Sequence, residues 1–299
     1  MTVKKLFCIL IGSMESAKIP FYQPRHRQLD FISGLLTFVV LVAALLSGCS
    51  KSGLSVQKPT PETALGECVL LIHGMGRTLR SMDAMQARLV AEGYHTVNFG
   101  YPSTSKPIEA IVTDHFPEAL EQCQQFEPQA IHFVSHSLGG IILRSVFKEQ
   151  KPGNMGRVVM LSPPSHGSVA ADSLKKWWLY EWLNGPAGQQ LTTDENSFPN
   201  QLGPVDYPVG VITGDRFYFF DFWLSFIIPG PDDGKVSVLN ARLDGMKDFL
   251  IVHETHPFIM DSEYVQDETL YFLKKGIFKH QKDPLPPVSG FDWFSFSSE

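Results

Sequence analysis

The chain has 299 residues, 25 of them basic and 31 acidic, for a net charge of −6; its 43% hydrophobic and 19% charged content excludes a disordered or fibrous class and leaves room for one substantial core. Residues 1–48 hold five of the basic and two of the acidic residues, so the remainder carries 20 basic against 29 acidic, net −9. That balance argues against nucleic acid as a partner, and it offers no attraction to anionic lipid, so any membrane association must come from an anchor or an apolar surface.

In chain order the first element is residues 31–48, FISGLLTFVVLVAALLSG, an uncharged apolar run behind Arg25 and Arg27. A basic segment followed by an apolar one fits a secretory signal over 1–48, with a retained transmembrane anchor as the other reading. Met14 offers a second start that shortens the long segment ahead of the run. Leu46, Ser47, Gly48 and Cys49 resemble the lipobox of bacterial lipoproteins, in which the signal is cut before a cysteine that is then acylated. Ser50 in the next position resembles the outer-membrane sorting class, which implies a lipid-anchored protein facing the periplasm. With Cys49 so used and Cys8 removed, Cys68 and Cys123 remain, in a compartment where disulfides persist. A bridge and two separate buried thiols both fit that remainder.

Residues 49–66, polar and with two prolines, read as a tether. A domain over 67–278 follows, in which short apolar runs alternate with helical patterns. Six strands are predicted: CVLLIHG from 68, HTVNFGY from 95, AIHFVS from 130, RVVMLS from 157, VGVITG from 209 and DFLIVHE from 248. The intervening helices include one with Met82, Met85, Leu89 and Val90 on one face, and one that Pro117 breaks or starts. Alternation of this kind predicts an α/β fold, a mostly parallel sheet with helices on both faces. A helical lid insertion at about 171–204, rich in tryptophan, and a second aromatic stretch at 215–230 interrupt it. Their aromatic stripes read first as core, and otherwise as a lid or acyl-binding wall, because both follow strand C-terminal ends. A C-terminal tail, 279–299, is rich in proline and serine.

Chemistry concentrates at Ser135-His136-Ser137-Leu138-Gly139, between a predicted strand and a predicted helix. That is the setting of a nucleophile elbow, where a strained turn aims Ser137 out of the sheet edge and small neighbours let the backbone pack closely. Ser135 stands where glycine is usual. A serine hydroxyl needs a base oriented by a carboxylate, in the chain order serine, acid, histidine. Four histidines lie downstream. His280 is in the tail, His166 precedes every acid considered, and His253 lies inside a strand, which leaves His256, in a loop past the last strand, as the first choice. The acids considered are Asp233 first, in a turn bounded by proline and glycine, then Asp232, then Asp215, whose neighbour Arg216 is a ready ion-pair partner. Two N–H donors for an oxyanion are expected at Leu138 and at Met75, in a glycine-flanked loop that His73 can brace. HETH, 253–256, does not match the zinc motif HExxH, because its second histidine comes one residue too early and it lies at a strand end.

LIHGMGRT, FVSHSLGG, GPDDGKVSV and THPFIM, in that order, resemble the α/β-hydrolase superfamily, and within it bacterial lipase/esterase-like members, over roughly residues 66–278. The resemblance implies that superfamily's fold; no cofactor and no metal are expected. It matches the acid turn to Asp233 and the histidine to His256, and it places a small hydroxyl residue where Ser135 stands. It further implies that the strand starting at Cys68 lies beside the elbow strand, with Cys123 ending the helix that leads into it, so that both thiols sit at one sheet edge within disulfide reach. The function expected is a serine hydrolase cleaving carboxylic esters, with an apolar acyl group, through an acyl-enzyme on Ser137. A non-catalytic envelope lipoprotein binding a lipid or protein partner, and an acyltransferase or thioesterase using the same residues, are the alternatives.

Overall fold

The computed structural model describes residues 53–280 apart from 177 and 219–221. The chain divides into Met1–Cys49 and Ser50–Glu299, and every described residue belongs to the second unit. The expected signal, the lipidated Cys49 and almost all of the expected tail lie outside the described residues.

Seven strands form one sheet: β1 (Gly53–Gln57), β2 (Cys68–Ile72), β3 (His95–Gly100), β4 (Ile131–His136), β5 (Met155–Leu161), β6 (Val209–Arg216) and β7 (Asp248–Thr255). Their order is β1-β3-β2-β4-β5-β6-β7, and all pairs are parallel except β1 with β3. Every residue of β2 and of β4 is buried, as continuous apolar runs in the middle of a doubly covered sheet require. Successive residues serve opposite faces. Leu70 and Ile72 join a core with helices α2 (Ile108–Asp114), α3 (Phe116–Gln124) and α4 (Leu138–Glu149). Val69 and Leu71 join another with α1 (Asp83–Ala91) and the last helix, Glu263–Lys275. Pro117 falls in the first turn of α3, after a break at His115.

Two expectations need correction. Within the predicted tether 49–66, residues 53–57 are a strand rather than a linker, pairing Gly53 with Gly100 through to Gln57 with Thr96. The strand buries little: Leu54 is half-buried and Val56 is 40% exposed. Main-chain pairing and Gln86, which donates to the Ser55 carbonyl (3.0 Å) and to Thr96 Oγ1 (3.1 Å), hold it in place of an apolar face. The insertion is also not core at its aromatic stripe. Its main helix, Trp178–Gln189, leaves Trp178 77% and Trp182 62% exposed. Its other side packs Tyr180 and Ala187 on the core, as does Leu191 just past its end. The helix kinks at Gly185 (φ 59°, ψ −163°), where a Cβ would fall 1.7 Å from the Thr104 carbonyl oxygen and Pro186 follows.

Candidate active site

The C-terminal ends of β2, β4, β6 and β7 carry the candidate residues to one edge of the sheet, the edge where open α/β sheets take ligands. Between β4 and α4, Ser137 has φ 51° and ψ −120°, a conformation that L-residues adopt only when their surroundings impose it. Its N–H donates to the Leu161 carbonyl at 2.8 Å, and its own carbonyl accepts from Gly140 N–H at 2.9 Å. The small residues around it are required by contact. A Cβ on Gly139 would stand 2.7 Å from the Ile72 carbonyl oxygen, and one on Gly140 3.0 Å from Pro163 Cβ and 3.5 Å from Ser135 Oγ. Ser135 is fully buried, so a larger side chain has no room there.

His256 Nε2 lies 3.0 Å from Ser137 Oγ, and its Nδ1 lies 2.8 Å from Asp233 Oδ2. Asp233 is fully buried, and its other oxygen accepts the N–H groups of Lys235 (3.1 Å) and Val236 (2.9 Å). The turn expected from its proline and glycine is thus closed on the carboxylate itself. The Asp233 carbonyl accepts His256 N–H at 2.9 Å, a main-chain bond that fixes acid and histidine together.

The alternatives are placed elsewhere. Asp232 accepts from Ser225 Oγ (2.6 Å) and Gly234 N–H (2.7 Å), and burial raises its carboxyl above the usual range. Asp215 pairs not with Arg216 but with His253, Nδ1 to Oδ1 at 2.9 Å, because neighbouring strands β6 and β7 bring these two residues together. In HETH, therefore, the two histidines turn to different carboxylates.

The loop after β2 lies against the serine turn: a Cβ on Gly74 would stand 3.1 Å from Ser137 Cβ. His73 braces this loop. Its Nδ1–H donates to the Gly74 carbonyl (2.8 Å), its Nε2 accepts Tyr101 N–H (3.3 Å), and its ring stacks on that of Tyr101 at 4.2 Å. Tyr101 Oη–H in turn donates to the His73 carbonyl at 2.6 Å. Burial lowers the His73 pKa to about 4, so the imidazole is neutral and this donor and acceptor pattern is the one it keeps. Gly76 N–H donates to Ser103 Oγ at 3.1 Å. Met75 is thereby held between two anchored glycines beside Ser137, and Leu138 opens α4 immediately after it. Met75 Sδ also meets the kinked insertion helix, 3.2 Å from where a Cβ on Gly188 would sit.

At the opposite edge, Cys68 and Cys123 form a disulfide with Cα atoms 5.9 Å apart. Tyr101, Ser103, Arg77 and His136 take part around the site although sequence reasoning singled out none of them for it. Hydrogen bonds between side chains and main-chain groups have no spacing signature, and only the position of Arg77 in HGMGRT and of His136 in SHSLG marked them as near.

Residues 69–268 match the model of the alpha/beta hydrolase family, two thirds of the chain, and the chain belongs to that family. Among curated proteins, lysosomal thioesterase PPT2 from Rattus norvegicus is 24% identical over 156 residues, covering 44% of this chain and 51% of that one. The chain therefore spans about half the length of this relative. Among solved structures, lipase BlEst2 from Bacillus licheniformis in its mature form superposes with a TM-score of 0.57 at 19% identity, covering 76% of this chain and 99% of the lipase. An esterase from Pyrococcus furiosus gives 0.52 at 16% identity, over 75% and 91%. At these identities the likeness is one of fold.

Proposed function

We propose that this protein is a serine hydrolase that cleaves carboxylic esters through an acyl-enzyme on Ser137. The observation that carries the proposal is the unbroken hydrogen-bonded chain Ser137 Oγ, His256, Asp233, with the serine in a strained turn. His256 Nε2 takes the hydroxyl proton as Oγ attacks the ester carbonyl. Asp233 keeps the other imidazole proton on Nδ1 and stabilises the imidazolium that forms. The carbonyl oxygen, now negative, is met by the N–H groups of Met75 and Leu138. Collapse of the tetrahedral adduct expels the alcohol with the proton from His256. A water then enters by the same route and releases the acid, restoring Ser137.

Trp178 and Trp182 on the insertion, with Phe226 82% exposed after β6, favour an apolar acyl group. The partial likeness to a thioesterase makes thioesters the second substrate class to assay. We place the enzyme in the bacterial envelope, lipid-anchored at Cys49 and facing the periplasm, on the strength of LSGC and the apolar run before it. Radiolabelled palmitate incorporated by the wild type and not by Cys49→Ser supports that placement, and equal labelling contradicts it. For the reaction, turnover of nitrophenyl esters of graded chain length is compared between wild type and Ser137→Ala. A loss of about 10⁴-fold or more is expected, and unchanged turnover rules the mechanism out.

A further inference from the structure

The turn that carries His256 is fastened by two side chains for which the reaction above has no use. One is His136, next to the serine and only 2% exposed. Its Nε2–H donates to the His256 carbonyl at 3.0 Å, and its ring centroid lies 4.8 Å from that of His256. A carbonyl only accepts, so the hydrogen of the His136 ring is on Nε2. Its opposite edge abuts the loop after β2, where a Cβ on Gly74 would stand 2.6 Å from Nδ1, and that nitrogen is buried without a hydrogen bond among the described residues. Burial, with His256, Arg77 and His73 as the charged or chargeable neighbours, holds the His136 pKa well below the usual histidine range, so the ring stays neutral. The other side chain is Arg77, half-buried at the far end of the same loop, whose Nη2 donates to the Pro257 carbonyl.

We propose that His136 and Arg77 are positioning residues that clamp the His256 turn, one from the serine elbow and one from the loop after β2. With the bond from His256 N–H to Asp233, the main chain at 256–257 is then held at three points, by the three segments that carry the rest of the site. The imidazole hangs from this main chain by two rotatable bonds, so a shift of the turn moves Nε2 away from Ser137 Oγ. A displacement of about 1 Å at a reacting group costs on the order of 10²-fold in rate. His136 also acts as a spacer, since its two edges set the distance between the loop at Gly74 and the histidine turn. The inference rests on reading Ser137, His256 and Asp233 as the triad.

The test uses paired variants. His136→Phe keeps the aromatic volume and removes the donor, while His136→Gln keeps an N–H at similar reach. Arg77→Met keeps the stem and removes the donors, while Arg77→Lys keeps charge and a donor. For a short-chain nitrophenyl ester, kcat is expected to fall about tenfold or more in His136→Phe and Arg77→Met with KM within about twofold, and to recover substantially in the Gln and Lys variants. Because Arg77 is half-buried, free guanidinium at sub-denaturing concentration should also raise kcat of Arg77→Ala, a rescue that a purely structural role would not produce. Should His136→Phe fail to fold, that rescue and the Arg77 pair still decide the matter. Wild-type kcat in Arg77→Met, or losses equal in the conservative and non-conservative variants and tracking their melting temperatures, would overturn the proposal. Ser137→Ala, measured alongside, separates the two readings: if it retains turnover the triad fails, and if it alone is inactive only the clamp fails.

Discussion

His73 carries no charge in the folded protein, and that fact has a consequence for stability. The unfolded chain takes up a proton on this residue near the ordinary histidine value of 6.5, whereas the fold does so only at about 4. Between those two values the unfolded state binds more protons, so stability falls as pH drops from about 6.5 toward 4, by about 3 kcal/mol if the whole interval is realised. His136, also held neutral by burial, adds in the same direction. The urea midpoint of the wild type should therefore be lower at about pH 5 than at about pH 7, and the difference should shrink in His73→Asn. A midpoint independent of pH over that range contradicts the account. At this scale the sequence was most legible where chemistry demands a fixed order of residue types: Ser137 and Asp233 each lie within hydrogen-bond distance of His256, on opposite edges of its ring. It was least legible where a side chain serves a main-chain carbonyl, as His136 and Arg77 do, or where two side chains choose each other across strands, as Asp215 and His253 do.

Among the elements, the six parallel strands could be read because each carries an apolar run or alternation: β2 to β6 lie inside the covered sheet, and β7, half-exposed at its edge, keeps Phe249 to Val252. β1 could not, because its five residues offer only Leu54 and Val56 as apolar side chains and its place at the edge rests on hydrogen bonds. The insertion helix misled in another way. Its composition is that of a buried helix, and nothing in the order KKWWLYEWL states which side meets the core. The disulfide ties the first residue of β2 to α3 across 55 residues of chain, a loop that contains β3 and two helices. Loop-closure entropy for a cross-link of that span corresponds to about 4 kcal/mol. Reduction should lower the denaturation midpoint markedly, and a midpoint unaffected by reductant would show that the bridge contributes nothing to stability.

Across the whole molecule, the two edges of the sheet have different work. The N-terminal edge is stapled by Cys68 and Cys123, and the C-terminal edge gathers the candidate serine, histidine and aspartate under an insertion with exposed tryptophans. Among the described residues no helix is long and apolar enough to cross a membrane. Covalent labelling reports directly whether this edge activates Ser137 as a nucleophile. The chain from residue 50 onward is treated with a fluorophosphonate probe and weighed intact, wild type beside Ser137→Ala. One adduct is expected on the wild type, mapped to Ser137, and none on the variant. A folded wild type that takes no adduct, or a variant labelled as readily as the wild type, would contradict that activation.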